Sequence, residues 1–272
     1  MVARTIAQAV AKPVAVTLGN HEGAPAFSPA DIASCRILLD AYDISSWTQD
    51  NAGATPLTAS GQTLGRFVSG TSHATPFTQA TTLARPTYTV SGAERFLSFN
   101  GTSNSMSCSA FAWGSPRVTV IAALRIRSNA AQGMVLEQST STTSVDNSFG
   151  LIAPASSGGD LTFASRSRGT TLVANFITHS AAAPLKTVAT MFGRCVTGDF
   201  LSRMELATGL NAQLTTSQGT AGDYGNHQIF IGSRAGSTLF CPMDLFRLAA
   251  FTDNLTGTDL AAVQAWAAEA IA

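Results

Sequence analysis

From Ile37 onward the chain is written in alternating apolar and polar positions. In "SPRVTVIAALRIRS", Val118, Val120, Ala122, Leu124 and Ile126 share one parity, and Thr119, Ile121, Ala123, Arg125 and Arg127 share the other. A two-residue period is that of a strand, so the first set predicts a core face and the arginines a face toward water. The same rule sets Met204 and Leu206 opposite Arg203 and Glu205 in "RMELATG". It places Leu97 and Phe99 on one side of "RFLSFNG", which stops at the turn pair Asn100-Gly101. Further strands are predicted at "GMVLEQ", "SFGLIAP", "DLTFASR", "TLVANFIT", "LKTVATMF", "HQIFIGS" and "MDLFRLAAF". The last is apolar at both parities, as a strand covered on both faces is. Turn-rich clusters such as "SSGGD" and "AGDYGN" separate them. Many short strands at such spacing point to a sandwich or jelly roll.

The period changes at each end of the chain. In "LTGTDLAAVQAWAAEAIA", Leu260, Val263, Ala267 and Ile271 recur at helical spacing with Trp266 beside them. Thr256 stands at the N-cap position, and Asp259 three residues on stands where a capping acid belongs. This predicts a final helix clasped onto the sandwich. Residues 1–34 lack alternation and hold Pro13, Pro25 and Pro29. They read as an extended docking or assembly arm with a short helix near Ile6–Ala11, and 35–272 as one sandwich domain. Arg4, Gln8, Lys12 and Pro13 interrupt the apolar N-terminus. That speaks against a secretion signal, and no stretch approaches the ~20 apolar residues of a membrane span. The expectation is a soluble chain.

Composition removes several function classes. Sixteen Lys+Arg balance sixteen Asp+Glu, so no net field draws nucleic acid or an acidic membrane. Cys35, Cys108, Cys195 and Cys241 lie far apart with no C-x-x-C and no nearby His pair, which argues against zinc. Two disulfides are possible, but without a secretion signal buried free thiols are the expectation. There is no Walker-type phosphate loop, no Gly-x-Ser-x-Gly and no Asp-x-Asp-x-Asp-Gly calcium loop. Neither cofactor nor metal is expected. The five glutamates are Glu22, Glu94, Glu137, Glu205 and Glu269, and none sits two residues from an Asp on one strand face as a glucanase pair would. Glu205 pairs naturally with Arg203 on the surface.

Four stretches, taken in order, carry a family resemblance. "ILLDAYDISSWTQDNAGATPLTASGQTLGRF" runs from an apolar segment through an Asp-Ile-Ser turn, Gln-Asp, Thr-Pro and Gly-Gln to Phe67. "SGTSHATPFTQATTLARPTY", "FLSFNGTSNSMS" and "IFIGSRAGSTLFCPMDLFRLAAFTDNLTGTDLAAVQAW" follow. Over most of 37–270 they resemble the laminin-G-like, concanavalin A-like sandwich domains of phage and prophage particle proteins and of some bacterial surface proteins. Two departures stand out. Asn100, Thr102, Ser103 and Asn104 replace acidic residues that some relatives could offer to calcium, and Cys241-Pro242 replaces a glycine before the final strand. The resemblance implies an all-β, concanavalin A-like jelly-roll sandwich.

Within that frame "GTSHATP" is a sandwich segment. The match of Ser72 to a subtilisin-like nucleophile lacks its partners: only His21 precedes it among histidines, and no Asp-Thr-Gly or Asp-Ser-Gly does. His73 reads as a turn histidine and no catalytic residue is assigned. If the domain binds sugar, it needs an aromatic platform with planar polar groups. Asp223, Tyr224, Asn226 and His227 in "AGDYGNHQ", with Trp113 in "FAWGS", are the candidates. The resemblance implies a non-enzymatic structural protein of a tailed phage or phage-like particle, attached to tail or capsid. Its virion partners would dock on residues 1–34, its sandwich would face a host surface polysaccharide, and it would form a homo-oligomer. A stand-alone carbohydrate-binding module is the alternative, and a glycan hydrolase a more distant one.

Overall fold

The computed structural model describes residues 27–140, 146–169, 174–178, 181–216 and 222–272, with the backbone alone at 174–177 and 216. The helix expected near Ile6–Ala11 lies outside the described residues. In chain order the first strands are β1 (Cys35–Asp40), β2 (Arg66–Val68), β3 (Pro76–Thr78), β4 (Thr87–Ser91), β5 (Glu94–Asn100) and β6 (Met106–Cys108). There follow β7 (Phe111–Ala112), β8 (Arg117–Ile126), β9 (Met134–Ser139), β10 (Ser148–Ile152), β11 (Ala164–Arg168) and β12 (Ala174–Thr178). The last are β13 (Lys186–Val196), β14 (Asp199–Leu206), β15 (Asn211–Thr216), β16 (Asn226–Ile231) and β17 (Pro242–Phe251), before α1 (Gly257–Glu269).

These strands form two antiparallel sheets packed as a sandwich. The first has the order β15-β14-β13-β8-β17-β5-β4, and β1 shares the β5 edge of β17. The second has the order β12-β11-β10-β9-β16-β6-β3-β2, with β7 on β16. The sandwich expected from the alternation is therefore the observed fold. The alternation also sorts its layers. Val118, Val120, Ala122, Leu124 and Ile126 enter the core between the sheets, where they meet Leu136, Phe149 and Leu151 of the second sheet. Each of the buried Val, Leu, Ile and Phe side chains among them contributes roughly 1.5–3 kcal/mol. Across β2 and β3, Phe67 faces Phe77 in register with ring centroids 4.9 Å apart and planes 4° apart.

The opposite parity of β8 is not simply wet. Ile121 and Ala123 lie under α1, which sets Val263, Trp266 and Ala267 on them and on Val188 and Ala249. Arg125, expected to point to water, instead bridges Glu94 (3.1 Å) and the buried Asp244 (2.9 Å), and Arg127 also reaches Asp244 (3.4 Å). The reason is register: Asp244 faces Arg125 across the β8–β17 ladder. A bulge at Phe246 in β17 lets Leu245 and Leu248 both face the main core while Phe246 joins the layer under α1. Thr256 is the N-cap residue, yet its side chain makes no capping hydrogen bond. The helix entry is held otherwise: Leu255 N donates to Thr119 Oγ1 (3.0 Å), and Asn254 Nδ2 donates to Val118 O and Gly193 O.

Contacts with the sandwich begin before Cys35. Ser28 caps a short 3-10 turn over Pro29–Asp31, Ile32 packs into the layer under α1, and Thr252 N donates to Ser34 O (2.9 Å). At the other turn read from sequence, Asn100 Oδ1 accepts the N–H groups of Thr102, Ser103 and Asn104, and Gly101 adopts φ +76°. That turn does not close a hairpin. It carries the chain from the first sheet to the second. All four cysteines are buried free thiols.

Candidate functional site

The second sheet places charge where an outer layer begins. Leu136, Phe149 and Leu151 point into the core. Strand alternation therefore turns Glu137 and Gly150 to the opposite, outer face. Gly150 stands abreast of both Glu137 on β9 and Arg166 on β11. Its missing side chain leaves a path across two strand spacings. Arg166 Nη2 donates to Glu137 Oε1 at 2.6 Å over that path. From the opposite side Arg234 Nε donates to Glu137 Oε1 (3.0 Å) and Oε2 (3.3 Å). Arg234 comes from a turn after β16 in which Arg234 N donates to Thr238 O, and Thr238 N donates back to Arg234 O.

Glu137 is fully buried and Arg166 nearly so. Burial pushes the Glu137 carboxyl up, against the pull of the two guanidinium groups, and burial also lowers the basicity of Arg166. Arg166 Nε has no hydrogen-bond partner. Further along the same face Arg168 pairs with Asp146 at 2.8 Å. Both oxygens of Glu137 are engaged by arginine, so the carboxylate has no free edge for proton transfer to a ligand. The cluster is a lock joining three elements, because removing one partner of a buried pair exposes the other's desolvation cost.

The loop singled out from the sequence folds beside this face, but not as a platform. Tyr224 is buried, its ring edge-on to Phe149 (5.0 Å) and its hydroxyl 2.7 Å from Ser167 Oγ. Trp113 is buried too, edge-on to the same Phe149 (4.8 Å), with Nε1 donating to Arg117 O at 2.9 Å. Neither ring offers a face to solvent, which corrects the expectation of a stacking surface built from them. Gly193 makes room for the tyrosine: a Cβ there would lie 2.5 Å from its hydroxyl oxygen. Asp223 and Asn226 are exposed on either side of the inward-pointing Tyr224. His227 is half-buried, with Nε2 3.0 Å from Asp146 O.

Ser72 and His73 sit on an exposed turn, Ala74 N donating to Thr71 O. Arg36 Nη1 lies 2.6 Å from His73 Nδ1, and burial together with this guanidinium lowers the histidine's pKa. The ring therefore belongs to Arg36 and not to Ser72. Arg203 and Glu205 form the surface pair expected of them (2.6 Å). Among the described residues no group of three His, Cys, Asp or Glu side chains could hold a metal ion. No described helix is long and apolar enough to cross a membrane. The Glu137 cluster went unread because Glu137 was weighed only for a neighbouring carboxylate. Its signal is a glutamate in the apolar run "MVLEQ" facing alternate arginines in "ASRSR".

No protein-family model and no curated protein matches the sequence. Solved structures do. The receptor-binding domain of botulinum neurotoxin D is similar with a TM-score of 0.53, at 8% identity over 88% of this chain and 54% of that one. An arabinofuranosidase complexed with arabinofuranosyl-alpha-1,2-xylobiose is similar with a TM-score of 0.52, at 9% identity over 76% of this chain and 51% of that one. The CBM40 module of the Ruminococcus gnavus IT-sialidase gives 0.42, at 16% identity over 55% of this chain and 83% of that one. At such identities the first two likenesses are ones of fold alone, and they agree with the two-sheet sandwich described above.

Proposed function

We propose that this chain is a non-enzymatic structural protein of a tailed phage or phage-like particle, with its sandwich turned outward to adhere to a host surface polysaccharide. The observation that carries the non-enzymatic reading concerns the buried carboxylates. Among the described residues these are Glu137 and Asp244, each held by two arginines. They lie on opposite outer faces of the sandwich, with sheets stacked about 10 Å apart between them. Glycoside hydrolysis needs two carboxyl groups on one bond, at separations of about 5–9.5 Å. These two are shielded from each other by the whole core, and Glu94, which shares Arg125 with Asp244, has its other oxygen on Lys186, so that neighbouring pair is an ion-pair network with both acids held by cations.

The particle reading rests on the ordered resemblance of 37–270 to domains of phage particle proteins. Residues 1–34 supply the segment that meets other virion proteins, and self-association into a homo-oligomer follows the symmetry of the particle. The test is binding of the labelled full-length protein to a panel of bacterial cells and their extracted polysaccharides. Saturable binding competed by one polysaccharide supports adhesion. Release of reducing sugar from any of them would overturn the non-enzymatic reading. On this reading, deleting the arm up to residue 26, which spares the Ser28–Ser34 contacts with the sandwich, is expected to leave a folded protein that no longer joins particles, and a truncated chain that fails to fold would overturn the arm.

A further inference from the structure

Helix α1 covers only part of the first sheet's outer face. Beside it, the flank of the helix, strand β13 and the β14–β15 hairpin enclose a groove with a cavity of about 480 Å³. That is the size of a small-ligand site. Register builds its polar wall. Glu205 faces Thr190 across one ladder and Asn211 across the next, so three polar side chains stand in a row. The hairpin turns through Ala207–Gly209, Leu206 N donating to Leu210 O (2.8 Å) and Gly209 taking φ +85°. Glycine holds that conformation without strain, and the turn brings Asn211 back beside Glu205. On the helix side the small Ala265 and Ala268 leave the space open.

The chemistry of the rim is polar and close to uncharged. Gln264 Nε2 donates to Thr190 Oγ1 (3.1 Å), and Asn211 Nδ2 donates to Gly209 O (3.2 Å). Their amide oxygens remain. Glu205 Oε1 is taken by Arg203, whose guanidinium lies 4.2 Å over the Phe192 ring, and Glu205 Oε2 remains. The groove therefore presents neutral acceptors and donors, the second N–H of each amide among them, with its one carboxylate already neutralised. Among the described residues no lysine or arginine lines it. An anionic ligand finds no cationic side chain there to offset its charge, and a cation gains little from a paired carboxylate. Val188 and the methyl groups of Ala265 and Ala268 supply its apolar side, while the side chains of Leu206 and Leu210 pack into the core between the sheets. A hexopyranose fits these groups: its hydroxyls both donate and accept at the rim, and its C–H groups can face the apolar side.

We infer that this groove is a subsite for one neutral hexose unit, whose hydroxyls donate to Gln264, Asn211 and Glu205. The inference rests on the adhesive reading of the chain and adds its location and ligand class. The test is a titration of the ¹⁵N-labelled full-length protein with methyl glycosides of glucose, galactose and mannose, and with methyl glucuronide, up to tens of millimolar. At least one neutral glycoside is expected to shift the amides of Gly209, Asn211 and Gln264 saturably, and the glucuronide is not. Ala265→Arg fills the groove from an exposed helix position with a good helix former, and should weaken that binding about tenfold or more. Gln264→Leu should weaken it as well. No saturable shift with any neutral glycoside, equal binding of the glucuronide, or unchanged binding by Ala265→Arg would each overturn the assignment. Cell binding that survives Ala265→Arg would sink the groove and leave adhesion standing. Saturation of the groove without binding to any cell or polysaccharide would do the reverse.

Discussion

Arg166 Nη2 lies 2.6 Å from Glu137 Oε1 although the two residues stand on strands that are not neighbours, with Gly150 between them. Two strand spacings are about 10 Å, so the pair meets only because position 150 has no side chain. A Cβ at Gly150 would lie 3.4 Å from Leu136 O and 3.7 Å from Glu137 Cγ, which an alanine can tolerate. Gly150→Ala is expected to change stability by less than ~1 kcal/mol, and Gly150→Leu to cost about 1–3 kcal/mol by wedging the pair apart. Urea unfolding midpoints at constant slope measure both. Equal effects would mean that the gap is not what the pair needs.

The same cluster orders three substitutions. Glu137→Ala leaves two arginines facing each other in the protein and should cost about 3–5 kcal/mol. Arg166→Met removes a nearly buried charge but leaves Arg234 on the carboxylate, and Arg234→Met removes a more exposed one. The expected ranking of destabilisation is Glu137→Ala, then Arg166→Met, then Arg234→Met. A neutral Glu137→Ala would show that Glu137 holds nothing together.

Tyr224 and Trp113 are to be tested as core residues. Tyr224→Phe removes the hydroxyl that meets Ser167 and should cost about 1 kcal/mol. Trp113→Ala should cost about 3–5 kcal/mol. Substituting the exposed Asp223 or Asn226 by alanine should leave stability within ~0.5 kcal/mol. Thermal unfolding compared across the four variants checks the contrast. A Trp113→Ala protein as stable as the parent would return that ring to the surface.

The sandwich and its closing helix were legible because period alone fixes which face is buried. "RVTVIAALRI" and "MDLFRLAAF" needed no further information. The short strands β2, β3, β6 and β7 were not read as strands, since two or three residues show no period. "DLTFASR" does contain a strand, but it starts at Ala164, after the buried Phe163. The candidate site was less legible. Trp113 and Tyr224 sit in turn-rich sequence, where an aromatic looks exposed, and only the common partner Phe149 reveals them as core. Arg125 likewise obeys the alternation, but the acid that holds it comes from β17, 119 residues away. Register between distant strands is not written in either strand.

The four thiols give a prediction about reactivity. Burial pushes Cys35 up to about 12 and Cys108 up to about 11, and raises Cys195 and Cys241 as well. The thiolate is the reactive form, so native protein is expected to resist a thiol-specific disulfide reagent at neutral pH. All four groups should then react once the chain is unfolded in denaturant. Rapid native titration of even one thiol would contradict the burial of that residue.

Glu94 makes stability depend on acid. Its oxygens take Lys186 Nζ at 2.7 Å and Arg125 Nη1 at 3.1 Å, and the hydrogen bond from Lys186 is the main cause that lowers its pKa. A carboxyl whose folded pKa lies below its unfolded value binds fewer protons when folded. Its contribution is therefore complete above the ordinary carboxylate pKa of about 4.3 and is lost as pH falls through the lower, folded value. The group is about a quarter exposed, so solvent screening holds the effect below ~1 kcal/mol. Glu94→Gln removes this dependence. The stability difference between parent and variant should be constant above about pH 5 and shrink below about pH 4. Urea unfolding at stepped pH measures it, and a difference that stays level into strong acid would mean that Glu94 is no better stabilised in the fold than in the unfolded chain.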